Sequence, residues 1–284
     1  MMSKIAIVCD STGSISPKEQ EELGIYISYL SIIFGTDSYR EFKDIGAEEF
    51  VKRCESSEEL PTTSQPTPGT TIEMYENLLK EGYEHIVHIA LSSQLSGSYQ
   101  SAVNCAEMVD PERIHVIDSR TVTYTQGMFA TNAARKVKEG ATIEEVLAYI
   151  EMVKDNNEFY AAINDLTNLR KGGRLSNIEA KLGSLLQIKP IVHMVPDGTL
   201  QPEEKIRTFK KSLKRLVEIA KEANLTEDYQ LSVMHIVNPE GAETVYNELK
   251  EIYPTLELTI NDISLVVAAH GGPGAVGIGW VKKN

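Results

Sequence analysis

"HIVHIALSSQLSGSYQSA", residues 85–102, runs from an apolar stretch straight into a turn carrying Ser92, Ser93, Ser96, Ser98 and Tyr99 around one glycine. A short β-branched run bounded by turn residues reads as a buried strand, and the segment after Gly97 reads as a helix. The same order recurs on either side. "KIAIVCD" (4–10) is a buried strand, followed by Ser16-Pro17-Lys18-Glu19, a capping box with proline at the first helical position. "IHVIDS" (114–119) is a further strand that enters another hydroxyl-rich turn and a helix.

Between these strands, "TPGTTIEMYENLLKEG" (67–82) places Ile72, Tyr75, Leu78 and Leu79 on one helical face, and Gly82 stops it. Thr142 with Glu145 caps a further helix that ends near Asp155-Asn156-Asn157. Strand–helix alternation of this kind implies a largely parallel sheet covered by helices. The pattern changes after about residue 158. "VHMVPDGTLQPEEKIR" (192–207) reads as a hairpin about a Pro-Asp-Gly turn. A helix from Thr208 to about Ala223 and the strands "QLSVMHIV", "LELTI" and "AVGIGWV" complete a mixed unit. The expected fold is therefore α/β in two lobes: residues 1–158 with a mostly parallel sheet flanked by helices, and residues 159–284 as a second, mixed α/β lobe.

Composition narrows the function classes. Lys+Arg number 28 against Asp+Glu 41, a net charge of −13, which disfavours nucleic acid because phosphate neutralisation needs clustered basic residues. Cys9, Cys54 and Cys105 are scattered without C-x-x-C spacing, so neither a disulfide framework nor a zinc site is expected. "MMSKIAIVCDST" turns polar after five apolar residues, too few for a signal peptide's hydrophobic region. No stretch approaches the ~20 apolar residues of a membrane helix. The expectation is a soluble, cytoplasmic protein.

Ligands of parallel sheets bind outside the carboxyl ends of the strands. Three loops lie there: "DSTGSIS" (10–16), "SSQLSGS" (92–98) and "DSRTVTYTQG" (118–127). A fourth, "TTSQPTPG" (62–69), precedes a helix N-terminus, where free N–H groups favour an anion. All are rich in Ser and Thr and poor in Lys and Arg. They suit a carboxylate held by neutral donors, whereas a triphosphate would call for a Walker loop with lysine, which is absent. Helix capping alone is the plainer reading of each hydroxyl.

Ser93 or Ser96 with His270 and Asp118 would supply the residue types of a hydrolytic triad, yet "SQLSG" lacks the first glycine of a nucleophile elbow. His85 and His88 lie three apart on a strand and face opposite ways, which argues against a metal. His115, His193 and His235 read as core residues bonded to backbone. His270 differs, because it opens "HGGPGAVG", where glycines let backbone approach a ligand.

Together, "DST" (10–12), "TSQP" (63–66), "SSQLSGSYQSA" (92–102), "VIDS" (116–119), "LRKGGRLS" (169–176), "IKPI" (188–191), "RT" (207–208) and "HGGPGAVGIG" (270–279) resemble, from end to end, the DegV family of bacterial fatty-acid-binding proteins. The resemblance implies a lipid tunnel between two α/β lobes and no catalysis by the protein itself. It implies a long-chain fatty acid as ligand, no cofactor and no metal. A separate fatty acid kinase would receive the carboxylate for acyl-phosphate formation in phospholipid synthesis, with transient membrane contact for lipid exchange. By motif, Thr63 and Ser96 are the expected carboxylate donors, and Ser93, His270 and Arg207 the expected head-group vicinity. Lys171 and Arg174, flanking two glycines in an acidic protein, are candidate contacts for the partner. Ser98 stands where Thr is usual after "LSG", which keeps the hydroxyl. A serine hydrolase, a related phosphotransferase and a lipid-sensing regulatory module are the alternatives.

Overall fold

The computed structural model describes residues 4–57, 59–174 and 188–284. Strand β1 (Ile5–Asp10) is buried at every position, as a central parallel strand covered on both faces must be. It pairs in parallel with β2 (Ile25–Ser28) and β6 (His85–Ala90), and β6 pairs in parallel with β7 (Ile114–Asp118). The order is β2-β1-β6-β7. Helix α1 (Pro17–Leu23) carries the expected capping box: Ser16 Oγ accepts from Glu19 N, and Glu19 accepts from Ser16 N. Helix α3 (Pro68–Lys80) starts at Thr67 and buries Tyr75 and Leu78. Helices α4 (Ser98–Val109) and α5 (Thr123–Glu139) follow β6 and β7, and α6 (Ile143–Lys154) has the Thr142–Glu145 box.

Strand β2 and four further elements of the first half were not legible. Strands β3 (Ser31–Phe34), β4 (Asp37–Arg40) and β5 (Thr62–Ser64) form a small antiparallel sheet ordered β4-β3-β5, and helix α2 (Ala47–Ser56) packs between them in sequence. The strands are three or four residues long, too short for alternation to show, and β4 and β5 are largely polar.

The second sheet has six strands in the order β10-β9-β8-β13-β11-β12. They are β8 (Asn157–Ala162), β9 (Ile191–Met194), β10 (Leu200–Glu204), β11 (Tyr229–His235), β12 (Glu257–Asp262) and β13 (Val276–Lys282). Strand β13 lies antiparallel between β8 and β11. One face is covered by α8 (Phe209–Glu222) and α9 (Pro239–Ile252), whose Leu216, Ala220, Val245 and Leu249 pack on Ile278 and Trp280. Two short helices, α7 (Thr167–Lys171) and α10 (Leu265–Gly271), sit at the edge of the seam between the sheets.

Helix α5 fills that seam, with every residue from Thr123 to Ala134 buried. Glycines make this possible on both sides. A Cβ on Gly279 would lie 2.1 Å from Thr125 Oγ1, and one on Gly127 would lie 2.2 Å from the Gly13 carbonyl oxygen. In "AVGIGWV" Gly279 thus faces α5 and Gly277 lies against Phe159, while Ile278 and Trp280 face the helices on the other side. A single hydrophobic core runs from Ile7 and Ile89 through Phe129 to Phe159 and Val192. Among the described residues no helix is long and apolar enough to cross a membrane.

Candidate functional site

A cavity of about 420 Å³ opens between the two sheets. Its walls are apolar: Leu30, Leu91 and Val122 from the first-sheet side, and Phe159, Ala161, Val192 and Ile236 from the second. Thr12, Thr63, Ser64, Gln65, Ser96, Arg174 and His270 supply its polar side chains. Such a site suits a ligand with an apolar body and one polar end.

Thr63 sits in the middle of β5, where pairing with Ile32 of β3 fixes its direction. Its Oγ1 lies 2.8 Å from His270 Nε2, across 207 residues of sequence. Ser96 lies in the turn before α4; its Oγ accepts from Ser98 N at 3.2 Å and lies 3.0 Å from Ser98 Oγ. It therefore helps start the helix, and where Ser98 Oγ is the donor of that pair the Ser96 hydroxyl proton is left to give. Loop 92–97 is held by Ser92, which donates to the Gly198 carbonyl of the β9–β10 hairpin at 2.6 Å. Gly198 has φ +85°, and a Cβ there would meet Ser92 Oγ at 2.4 Å, so the hairpin tip needs glycine to dock.

His270 occupies the last turn of α10. Burial, and then the charge of Arg174, hold its imidazole down to about 4. The ring is neutral at pH 7. Gly172 makes room for it, since a Cβ there would lie 2.5 Å from His270 Nδ1. Arg174 donates to the Gly172 carbonyl at 2.5 Å and to the Leu95 carbonyl at 3.3 Å. The structure thus brings Thr63, Ser96, His270 and Arg174 together at one cavity, with Arg174 at the cavity rather than only on a surface patch.

Three of the singled-out residues, Ser93 and Arg207 of the expected head-group vicinity and Lys171 of the expected partner contact, do not line it. Ser93 is half-buried and donates its backbone N–H to Asp118 Oδ1, but does not line the cavity. Lys171 is exposed at the end of α7. Arg207, expected near the head group, is exposed ahead of α8 and outside the lining, because the hairpin's return strand carries it past the seam. Leu175 and Ser176, which end the "LRKGGRLS" motif, lie outside the described residues.

No hydrolytic triad forms from the candidate residues. His270 pairs with Thr63, and Asp118 accepts from the backbone of Ser93 and Arg120 instead of from an imidazole. The strand histidines also differ from expectation. His115 pairs with His85 at 3.3 Å and His193 with Glu158 at 2.5 Å; of the three, His235 alone meets backbone, accepting from Asn238 N at 3.5 Å. Backbone groups within strands are already taken by the ladder, so the rings turn to neighbouring side chains. Among the described residues no group of three or more His, Cys, Asp or Glu is arranged to hold a metal ion.

The model of the DegV family, described as a family of uncharacterised proteins, matches residues 4–283. The chain belongs to the DegV family. A DegV domain-containing protein of Halalkalibacterium halodurans is 38% identical over 280 residues, 98% of this chain and 99% of the relative. The fatty acid binding DegV family protein of Streptococcus agalactiae superposes with a TM-score of 0.91 at 31% identity, covering 99% of this chain and all of that one. DegV of Bacillus subtilis, a fatty acid binding protein, gives 0.90 at 35% identity, covering 99% of each chain.

One residue that supports the site in this DegV-family chain escaped sequence reasoning. Glu41, fully buried, accepts from Ser11 Oγ at 2.5 Å and from Val266 N at 3.1 Å. Burial pushes its carboxyl up, against the pull of hydrogen bonds from Ser11, Val266, Ser264 and Leu265. It ties the start of the His270 helix to the turn after β1. "YREFKD" reads as charged surface, and no local signal betrays it. Gln65 and Thr12 are different: both belong to loops that were singled out, and only their side-chain direction was hidden.

The depressed His270 of this DegV-family protein has a consequence for stability. An unfolded histidine takes up its proton near 6.5, whereas His270 resists until about 4. Its contribution is full above 6.5 and is lost as pH falls from there to about 4, by up to about 3 kcal/mol. His270→Gln should flatten the fall in denaturation midpoint over that window. An unchanged slope would place the histidine in water.

Proposed function

We propose that the protein binds a long-chain fatty acid, tail in the cavity between the sheets and carboxylate at Thr63 and Ser96, and presents that carboxylate to a separate fatty acid kinase. The observation that carries the reading is the pairing of an apolar cavity with a rim of neutral hydroxyls and a neutral imidazole, beside which the cation Arg174 stays exposed. A sixteen-carbon tail buries roughly 14 methylenes at ~0.8 kcal/mol each, about 11 kcal/mol gross before ordering costs. The tail supplies affinity, so the head group needs only orientation. Hydroxyls satisfy a carboxylate without burying a cation whose desolvation is expensive. The naming of two structural neighbours as fatty acid binding supports the same ligand class.

Protein purified from bacteria is expected to release saturated or monounsaturated acids of about sixteen to eighteen carbons, the range the family implies, on extraction and mass spectrometry. Absence of lipid both after native purification and after incubation with fatty acid would end the carrier reading.

The kinase, acyl-phosphate formation for phospholipid synthesis, a cytoplasmic setting and brief membrane contact for lipid exchange belong to the same proposal. Its support on the surface is a basic patch at the start of α8. Lys205, Arg207, Lys210 and Lys211 are exposed, and none forms an ion pair with another described residue, in a chain of net charge −13. Cations near a helix N-terminus oppose its dipole, so local stability does not account for them. Arg207→Ala should leave fatty-acid affinity within a few-fold of wild type and strongly lower acyl-phosphate formation in a reconstituted kinase assay. Equal loss of both would assign Arg207 to the lipid site.

A further inference from the structure

Beneath the strand ends lies a chain of hydrogen bonds between buried groups that do not line the cavity. Tyr75 OH is 2.5 Å from His88 Nδ1, His88 Nε2 is 3.2 Å from Asp10 Oδ1, and Asp10 Oδ2 accepts from Leu91 N at 3.0 Å. Tyr75, His88 and Asp10 are each at most 1% exposed.

The chain has a direction. With its single proton on Nε2, facing the carboxylate, the His88 ring offers Nδ1 as the acceptor for the phenol. Burial, then the charge of Asp10, push the Tyr75 phenol up, so it keeps its proton to donate. Every polar atom is thereby used, which is the condition for tolerating an acid in a core.

An apolar trio would fill this space at lower desolvation cost, so stability alone is a poor reason for the acid. Its position supplies another. Asp10 ends β1 and leads directly to Thr12, which lines the cavity; Leu91 lines it too and begins the turn that carries Ser96. The carboxylate therefore joins the two ligand loops at the point where both leave the sheet.

We propose that Asp10, oriented by His88 and Tyr75, is a positioning residue that acts through the Leu91 N–H to set the 91–96 turn for a carboxylate. The inference rests on the fatty-acid reading for its ligand and on the hydrogen-bond chain for its mechanism.

Palmitate and hexadecanol, which share a tail and differ in head group, separate positioning from general stability. Tyr75→Phe removes a hydroxyl remote from the cavity. It should weaken palmitate binding about tenfold while hexadecanol stays within about twofold. Hydrogen exchange at the Leu91 amide should also quicken relative to Val87. In Asp10→Asn the amide oxygen can still accept from Leu91 while its NH2 faces Nε2. Palmitate affinity should then stay within about threefold of wild type, and ¹⁵N spectra should show the His88 proton moved from Nε2 to Nδ1.

Equal weakening of acid and alcohol in Tyr75→Phe, no change in either, or an unmoved proton in Asp10→Asn would each overturn the proposal. Should Tyr75→Phe fail to fold, Asp10→Asn decides by the proton shift and by affinity. If wild type binds neither ligand, the fatty-acid reading fails on its own. The ¹⁵N pattern and Leu91 exchange still uphold or overturn the brace.

Discussion

Thr63→Ala and Ser96→Ala should each weaken palmitate binding about ten- to hundredfold, because each removes a hydrogen bond to a charged acceptor worth roughly 1.5–3 kcal/mol. Neither should abolish binding, since the apolar walls still hold the tail. The two variants should differ in stability. Thr63 is also the partner of His270, so its loss strands a largely buried imidazole nitrogen at a cost of about 1–3 kcal/mol. Ser96 Oγ accepts from Ser98 N and meets Ser98 Oγ within the same turn, and its loss resembles removal of a helix cap, typically about 1 kcal/mol. Isothermal titration with palmitate and thermal melts of the same preparations check both points. Wild-type affinity in the singles and in the double variant would place the carboxylate elsewhere in the cavity.

Gly127→Ala is the second large effect, and its sign opposes helix propensity. In an exposed helix this change gains up to about 1 kcal/mol. Here the new methyl would sit 2.2 Å from the Gly13 carbonyl oxygen and 3.1 Å from Tyr124 Cδ2, on a helix enclosed by both sheets. The carbonyl is backbone in the turn after β1 and cannot rotate away as a side chain would. Overpacking of this kind costs about 1–3 kcal/mol, and a backbone neighbour that cannot turn aside puts this site at the upper end. Denaturant unfolding should therefore show a marked fall in midpoint. A stabilised variant would mean that the turn yields and that α5 is less tightly held than its glycines imply.

What was legible in the sequence was what is local. The β-branched runs of β1, β6 and β7, the boxes at Ser16–Glu19 and Thr142–Glu145, and the Pro-Asp-Gly hairpin each depend on neighbours a few residues apart. The β4-β3-β5 sheet was not, because "TTS" and "DSYR" carry no hydrophobic period. Helix α10 hides in "LVVAAHG", whose apolar and β-branched residues read equally well as a strand. Thr63, Ser96 and His270 were located through their motifs. That Thr63 would meet His270, and that Glu41 would anchor the helix bearing it, depends on pairings across long stretches of chain that no local pattern encodes. Arg174 was read with Lys171 as a contact for the partner; only the room left by Gly172 shows how the turn folds over His270 and brings the exposed Arg174 to the cavity.

The central place of β13 bears on how the protein is made. Residues 276–282 complete a sheet whose other strands are synthesised earlier, and they enter it between β8 and β11 rather than at an edge. Until those residues have left the ribosome, β8 and β11 each present an unpaired edge, and α5 lacks the glycine surface on which it rests. Such edges invite pairing with other chains. The first sheet, whose strands all precede residue 119, can form during synthesis. The second must wait, and with it the cavity, so a chain interrupted before residue 276 holds Thr63, Ser96 and His270 without the assembled walls that would give them a ligand.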